Sequence, residues 1–199
     1  MKIIDLKIYP VIYIFILMFI ASSIIIGAAK FTEKNVKMNE KIAIGKSVIQ
    51  VLPEIYKKNM TNAEIHKVFN EKVKKANIHN TYYYFTENQS YAIPIEGKGF
   101  WAPIKGFIGI EQDKKTISGI SFYEQNETPG LGAEIMKENF RRQFNGKKLS
   151  ADGKINFKRK GEKLSEHDIE AITGATQTST RLEKIINNSI KEWLKNISN

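Results

Sequence analysis

The sequence predicts an α+β fold in which one N-terminal transmembrane helix is followed by a domain with an antiparallel sheet and packed helices. Three observations carry this prediction. Residues 11–29 contain no charged side chain. Two β-prone runs flank a polar turn in the middle of the chain, and a strongly amphipathic stretch lies near the C-terminus. With 199 residues, the chain is long enough for one ordinary domain and an accessory segment.

The uncharged segment, Val11–Ala29, has the length of a membrane-spanning helix, since roughly 20 apolar residues cross the hydrocarbon core. Lys30 marks its end. A cleaved signal peptide is the main alternative, because three small residues directly precede Lys30. The apolar part of a signal peptide is usually about 7–15 residues long, which favours a retained anchor.

Two helices and an aromatic β-prone stretch are expected between the anchor and the middle of the chain. Residues 40–58 have helical spacing, with a proline disturbing the end of the helix. Residues 61–77 are a second predicted helix, capped by Thr61 or Asn62. Residues 80–95 are aromatic and favour strands, with a turn at "ENQS".

The second half of the chain begins with a predicted hairpin. Its strands are Ile104–Glu111 and Thr116–Tyr123, and the polar "QDKK" between them is typical of a turn. A helix is expected over residues 133–147, with Gly146 as the residue that terminates it. A last helix is expected over residues 180–198, with one apolar face that would pack in the core.

The composition limits the chemistry of this domain. The formal net charge is +10, but the lysines are spread along the chain, which favours a solvated surface over a nucleic-acid-binding face. The absence of cysteine excludes disulfides, thiolate catalysis and cysteine-held metal centres. The three histidines lack metal-site spacing. We predict no metal site and no acid–base catalytic residues, so redox chemistry would need an organic cofactor.

The segment "ETPGLG", Glu127–Gly132, lies at a predicted strand-to-helix junction. Pro129 and Gly130 alone would suit a type II turn, because proline presets φ and glycine supplies φ > 0. A loop of this length with two glycines also suits backbone N–H groups that face a ligand. The residues alone leave both interpretations open.

The segment "AITGATQTST" precedes the last predicted helix. It is neither a Walker A loop nor a nucleophile elbow, so nucleotide hydrolysis is unsupported. Thr178, Ser179 or Thr180 would cap the helix. The start of a helix carries partial positive charge and free N–H groups, so the segment is a candidate anion site that faces the glycine-bearing loop.

Together, "ETPGLGAEI" and "ITGATQTS" resemble the FMN-binding domain of membrane-anchored flavoprotein subunits in ion-translocating NADH:quinone (Nqr-type) and ferredoxin:NAD (Rnf-type) oxidoreductases. The stretch "GKGFWAPIKGFIGI" is similar to that family's strands. The resemblance covers roughly Tyr91 to the C-terminus and implies three parts of the chain. These are an anchor over residues 1–30, a lead-in of helices and strands over residues 31–90, and an FMN-binding domain over residues 91–199.

The family pattern is Asp-x-x-(Ser/Thr)-Gly-Ala-Thr, and its last threonine carries FMN through a phosphoester bond. The resemblance therefore implies that Thr176 carries FMN covalently. Thr173, Gly174 and Ala175 would shape the turn, and Thr178 would hydrogen-bond the phosphate. Glu170 occupies the family's aspartate position, which implies recognition by the flavin transferase.

The resemblance also implies that the loop beginning at Glu127 packs on the flavin. Thr128 and Leu131 would be its main contacts, while Gly130 and Gly132 would let the backbone come close. Two aromatic residues upstream are candidates for stacking on the flavin, although core packing is the more common role for such side chains. They are Phe100 and Trp101.

The function implied is electron transfer within a membrane-bound ion-translocating oxidoreductase complex, by a redox subunit without its own acid–base site. The implied partners are other membrane subunits, a flavin transferase and lipid. Two alternatives remain: a stand-alone membrane-tethered flavoprotein outside the cytoplasm, and a binding or assembly module without flavin.

The resemblance implies a single-pass protein of the bacterial inner membrane with an extracytoplasmic C-terminal domain. A positive-inside count favours the opposite orientation. Only Lys2 and Lys7 precede the apolar segment, whereas four lysines follow it closely. They are Lys30, Lys34, Lys37 and Lys41.

Overall fold

The computed structural model describes residues 8–78 and 80–197, so Lys2, Lys7 and His79 lie outside the described residues. The chain divides into two compact units, Met1–Lys41 and Ile42–Asn199. Residues 42–90 therefore belong to the same unit as residues 91–199.

The first helix, α1, runs over Tyr9–Gln50 and contains the predicted anchor. Its apolar side chains between Val11 and Ile26 are exposed. By length and composition it is able to cross a membrane. The helix continues beyond Lys41 into the second unit and ends at Gln50, three residues before Pro53, as the proline predicted.

The centre of the second unit is a five-stranded antiparallel sheet in which each strand pairs with the next along the chain. The strands are β1 Lys74–Ile78, β2 Thr81–Phe85, β3 Tyr91–Lys98, β4 Pro103–Ile110 and β5 Ile117–Glu124. The predicted hairpin is confirmed, and its turn is held by Asp113, whose carboxylate accepts hydrogen bonds from the backbone N–H groups of Lys115 and Thr116.

Alternation along the strands gives the sheet two buried faces. Ile93 and Ile95 of β3 belong to the larger core cluster, which the last helix also contributes to. Ala92 of β3 and Phe107 of β4 point to the other face, where a smaller cluster forms with the end of α1. Both clusters lie within the second unit.

The second helix, α2, is shorter than predicted. It covers Asn62–Lys72 and begins at Thr61, which forms a capping box with Glu64. The prediction that the helix continues to residue 77 is wrong. Val73 is already extended, and Lys74–Ile78 pairs with the aromatic strand β2, so strand pairing overrides the weak helical propensity of this segment.

The single helix predicted over residues 133–147 is two short segments. A 3₁₀ helix covers Gly132–Met136 and α3 covers Glu138–Arg142. Lys137 between them is extended, with φ −70° and ψ 143°. Ile135 and Phe140 are five residues apart, which would place them on different faces of one helix. The break lets both side chains enter the core, where both are buried.

Two short strands that the sequence did not predict follow, β6 Asn156–Lys158 and β7 Asp168–Glu170, which pair in parallel. The last helix, α4, covers Thr176–Ile197, so it starts four residues earlier than predicted. Its predicted apolar face is confirmed, because Leu182, Ile186 and Trp193 are buried. A Cβ at Gly97 would lie 2.5 Å from Ile185, so α4 packs closely on β3.

Candidate functional site

The fold brings the two glycine-bearing motifs together. The loop Glu127–Gly132 follows β5, and the turn Thr173–Ala175 leads into α4. A Cβ placed on Gly174 would lie 3.1 Å from the Leu131 side chain, so the two motifs are in contact. Leu131 is exposed. The arrangement matches the prediction that a threonine-rich turn faces the glycine-bearing loop.

Glu127 holds this junction through its carboxylate, which is buried. Its Oε1 atom accepts hydrogen bonds from the backbone N–H groups of Phe100, at 2.9 Å, and Trp101, at 3.1 Å. Its Oε2 atom accepts one from the Thr178 hydroxyl at 2.6 Å. One side chain therefore joins three segments: the β3–β4 turn, the loop after β5 and the first turn of α4.

Two glycines make room for the Glu127 carboxylate. A Cβ on Gly99 would lie 2.5 Å from its Oε1 atom, and a Cβ on Gly132 would lie 2.8 Å from its Oε2 atom. The same Cβ on Gly132 would lie 2.5 Å from the Thr178 hydroxyl oxygen. Gly132 therefore serves the packing of the loop around Glu127.

The loop itself contains the tight turn that proline and glycine predict. The Leu131 N–H donates to the Thr128 carbonyl at 3.1 Å, and Gly130 has φ +75°, as the third residue of a type II turn requires. The Ala133 N–H donates to the same carbonyl. The N–H groups of Leu131 and Ala133 are therefore engaged within the loop and do not face outward to a ligand.

The turn before α4 is also held from within. Gly174 has φ +79°, and the Ala175 N–H donates to the Ile172 carbonyl at 3.1 Å. The Ser179 hydroxyl accepts a hydrogen bond from the Ile172 N–H, and the Ser179 N–H donates to the Ala175 carbonyl. Ser179 thus fastens the turn to the helix that follows it.

Thr176 is the first residue of α4, and its side chain is exposed. Within residues 8–78 and 80–197, its hydroxyl has no hydrogen-bond partner. Thr173 is likewise exposed. The structure therefore presents a free hydroxyl at a helix N-terminus, where the helix dipole favours an anion.

The prediction that Thr178, Ser179 or Thr180 caps the last helix is wrong. Because α4 begins at Thr176, all three lie inside its first turns. Thr178 and Ser179 are buried and make the contacts described above, whereas Thr180 is exposed. The Thr178 hydroxyl donates its proton to Glu127 rather than capping a backbone N–H.

A polar cavity of about 470 Å³ opens beside the turn. Gly130, Thr173 and Glu170 line it, together with Glu134 and Lys160. The position of Glu170 is fixed by Gln143, which accepts from the Glu170 N–H at 2.8 Å and donates to its carbonyl at 3.4 Å. Glu170 is thus placed close to the Thr-Gly-Ala-Thr segment.

Asp168, two residues before Glu170, is buried, and its role was not predicted. Its carboxylate accepts hydrogen bonds from the Ser165 hydroxyl at 2.6 Å, from the Ser165 N–H at 2.9 Å and from Asn156 at 3.3 Å. These donors hold the pKa of Asp168 below its ordinary value. The only sequence signal is the spacing of Ser165 and Asp168, which suits a local hydrogen-bonded turn.

Phe100 and Trp101 are not core residues. Their exposed fractions are 44% and 66%, and their rings meet edge to face at 4.9 Å between centroids. The Trp101 indole N–H donates to the Thr128 hydroxyl at 3.0 Å. The pair therefore lies on the surface beside the Glu127–Gly132 loop, and the core-packing alternative is wrong for both.

Comparison with known proteins agrees with this geometry. A family model for the FMN-binding domain matches residues 99–191, which include both motifs and the Phe100–Trp101 pair. Residues 99 to 191 are an FMN-binding domain. It contains all the residues that hold the junction around Glu127.

Similar proteins carry the same domain. The chain is 44% identical over 105 residues to the C subunit of the Na(+)-translocating NADH-quinone reductase of Pasteurella multocida, covering 51% of this chain and 39% of that protein. It is 41% identical over 95 residues to the corresponding protein of Vibrio anguillarum, covering 46% of this chain and 37% of that protein. The chain thus spans well under half the length of these curated relatives.

Solved structures share the fold. The crystal structure of the same type of protein from Parabacteroides distasonis superposes with a TM-score of 0.66 at 26% identity, covering 81% of this chain and 96% of that one. The structure of NqrC from Shewanella oneidensis gives a TM-score of 0.64 at 19% identity, covering 76% of this chain and 96% of that one. The predicted α+β class is confirmed.

The residues of the FMN-binding domain fit an FMN phosphate on three grounds. The Thr176 hydroxyl is free, it stands at a helix N-terminus, and Gly174 has a backbone conformation that turns the chain without a side chain over the helix start. The described residues contain no cluster of His, Asp and Glu that could hold a metal ion.

Proposed function

We propose that this chain is the FMN-carrying electron-transfer subunit of a membrane-bound, ion-translocating oxidoreductase complex of the Nqr or Rnf type. The FMN phosphate is joined to the hydroxyl of Thr176 as a phosphoester. The observation that carries the proposal is the exposed, unpartnered Thr176 hydroxyl at the first residue of α4, within a domain of the FMN-binding family.

The residues around Thr176 divide the work of holding such a group. The N-terminus of α4 offers partial positive charge to the phosphate. Gly174 keeps the approach to the hydroxyl open, and Thr173 and Gly130 line the adjacent cavity. Leu131 is exposed next to this turn and supplies an apolar contact for the flavin ring.

Glu127 acts through its neighbours in this scheme. It holds the loop and α4 together through Thr178, and its two backbone contacts fix the Phe100–Trp101 pair beside the loop. We infer that Thr178 serves the phosphate indirectly, because its hydroxyl proton is engaged by Glu127.

Bound FMN supplies the redox chemistry, since flavins transfer electrons and the protein tunes their potential by burial and hydrogen bonding. The chain contributes position and environment. Covalent attachment keeps the cofactor in place on the outer side of the bacterial inner membrane, where free FMN is scarce. The first part of α1 anchors the domain there as a single transmembrane helix, in contact with lipid and with other membrane subunits.

Attachment of the phosphoester requires a flavin transferase as a maturation partner. Glu170 is the acid that this enzyme would recognise. It lines the cavity next to Thr173, so a carboxylate is available six residues before the hydroxyl that accepts the flavin.

The decisive experiment expresses the full chain with a flavin transferase and examines it on a denaturing gel for covalent flavin fluorescence. Thr176→Ala should abolish the fluorescent band. Thr180→Ala is the matched control, because Thr180 is also exposed and lies one helical turn further along α4. Intact mass should show an increase of one FMN less one water, and peptide mapping should place it on Thr176.

Fluorescence that persists in Thr176→Ala would refute the attachment residue. Colourless protein from its native membrane would favour the flavin-free binding or assembly module. A native gel of solubilised membranes separates the remaining alternatives. Migration with other membrane subunits supports the complex, whereas a flavin-containing band of this chain alone supports the stand-alone carrier.

A further inference from the structure

A second cavity, of about 350 Å³, lies apart from the FMN site. Its walls are the segment that follows α1, the first half of β5, and α3. Polar and charged side chains contribute much of its lining: Gln50, Tyr56, Lys58, Asn59, Arg141 and Asn145. It shares no lining residue with the cavity beside Thr173, because α3 presents Arg141 and Arg142 to one cavity and Asn139 and Gln143 to the other.

Arg141 is the unusual group in this cavity. Within the described part of the chain, it has no carboxylate partner, and its one side-chain hydrogen bond, from Nη1 to Gln50 Oε1, is long at 3.5 Å. Gln50 Oε1 already accepts a hydrogen bond of 2.6 Å from the Ser121 hydroxyl. The Nε atom of Arg141 is buried without any partner. A buried donor without an acceptor costs about 1–3 kcal/mol, so the guanidinium is under-satisfied.

The surrounding charges are mostly positive. Lys58 lines the cavity and has no ion-pair partner among residues 8–78 and 80–197. Arg142 is already paired with Glu138 at 2.6 Å, so the one carboxylate in the lining is not available to Arg141. The cavity therefore has two cationic side chains that lack an anion and one neutralised pair.

We propose that this cavity binds a small oxyanion, a carboxylate or a phosphate, with Arg141 as its principal ligand. A guanidinium presents its donors in a planar fork that matches two oxygens of such an anion, and these charge-assisted hydrogen bonds are about twice as strong as neutral ones. Lys58 adds a second positive charge, and Asn145 adds an amide at the edge of the cavity. The small volume selects a compact ion rather than a nucleotide.

This binding site is independent of the proposed flavin. Thr176→Ala protein, which cannot carry the flavin under the proposal above, should bind the oxyanion with the same affinity. Failure of flavin attachment and failure of oxyanion binding are therefore separate results.

The test titrates full-length protein in detergent with inorganic phosphate and with succinate, at constant ionic strength maintained with sodium chloride. Calorimetry should show one saturable site for at least one of the two probes, and the stronger probe identifies the source of the oxyanion. Arg141→Gln should weaken binding at least tenfold. Arg159→Gln is the matched control, because Arg159 is an exposed arginine that lines neither of the two cavities.

Two further measurements protect the test against a misfolded variant. Lys58→Gln changes an exposed residue and should weaken binding less than Arg141→Gln does. The bound probe should also slow modification of Arg141 by phenylglyoxal, mapped by peptide mass, and leave Arg159 unprotected. Equal affinity in Arg141→Gln, or no saturable site with either probe, would overturn the proposal.

Discussion

The Thr178 hydroxyl donates a hydrogen bond of 2.6 Å to the buried carboxylate of Glu127. This contact joins the two sequence motifs of the FMN-binding domain. The same carboxylate receives the backbone N–H groups of Phe100 and Trp101, so the loop, the aromatic pair and the start of α4 form one unit. The geometry at Thr176 therefore depends on a residue that is far away in the sequence.

Glu127→Gln should destabilise the domain. The glutamine keeps the shape of the side chain, but its amide NH₂ must face either the Thr178 hydroxyl or the N–H groups of Phe100 and Trp101. At least one buried donor then loses its acceptor, at a cost of about 1–3 kcal/mol. Urea unfolding of the full chain in detergent, followed by tryptophan fluorescence, measures the loss.

Glu111→Gln is the control for this substitution, because Glu111 is exposed and its side chain has no partner in the described part of the chain. The control should change the free energy of unfolding by less than about 0.5 kcal/mol. Equal stability of the two variants would show that the Glu127 contacts contribute nothing.

Thr178→Val should lower stability through the same contact. The valine has nearly the same volume but leaves Glu127 Oε2 without its donor, so the cost is again about 1–3 kcal/mol. The double variant Glu127→Gln/Thr178→Val should be less destabilised than the two single effects added together, because both remove one interaction. Strict additivity in the unfolding free energies would contradict a direct contact. Thr178→Ser, which keeps the hydroxyl, should recover most of the stability.

Much of the fold was predictable from local patterns. The hairpin of β4 and β5 has strong strand formers on both sides of a polar turn, and α4 has a long apolar period. The strand Lys74–Ile78 was not predictable, since it is polar and becomes a strand only by pairing with β2. The break at Lys137 follows from where Ile135 and Phe140 must pack in three dimensions.

The candidate site divides in the same way. The two motifs and their contact were predictable, because a glycine-bearing loop and a helix start are both recognisable in a sequence. The role of Glu127 was not, since its partners lie in two distant segments and no local pattern links them. The exposure of Phe100 and Trp101 was likewise hidden, because an aromatic pair beside a glycine suits a core equally well.

Gly174→Ala should reduce both stability and flavin attachment. Gly174 has φ +79°, which costs a residue with a side chain about 1–2 kcal/mol, and the new Cβ would come within 3.1 Å of Leu131. The turn would shift and move Thr176. Covalent fluorescence per molecule after a fixed reaction time with the transferase measures the second effect.

Gly130→Ala is the matched control, since Gly130 has nearly the same φ, +75°, but open space where its Cβ would be. It should lose a similar conformational free energy without the contact with Leu131. If both variants accept flavin equally slowly, the contact between the two motifs is not what positions Thr176.

Asp168 should make stability depend on pH at the acid end. Its folded-state pKa is lowered, first of all by the hydrogen bond from the Ser165 hydroxyl. The stabilising contribution is therefore fully present above the unfolded pKa of about 3.9 and is lost as the pH falls through the lower folded-state value. Asp168→Asn should be less stable than the unchanged chain at neutral pH, and the difference should shrink below about pH 4. A difference that stays constant across this range would contradict the assignment.

Glu170→Asp should speed flavin attachment. The substitution gives the acid the shorter side chain of the Asp-x-x-(Ser/Thr)-Gly-Ala-Thr pattern, and the backbone at this position is held by Gln143 whichever acid is present. Stability should therefore change by less than about 0.5 kcal/mol. Initial rates of fluorescent labelling by the transferase measure the effect. Glu134→Asp shortens another carboxylate in the lining of the same cavity and should leave the rate unchanged. A slower rate for Glu170→Asp would mean that the longer glutamate is the form that the transferase of this protein recognises.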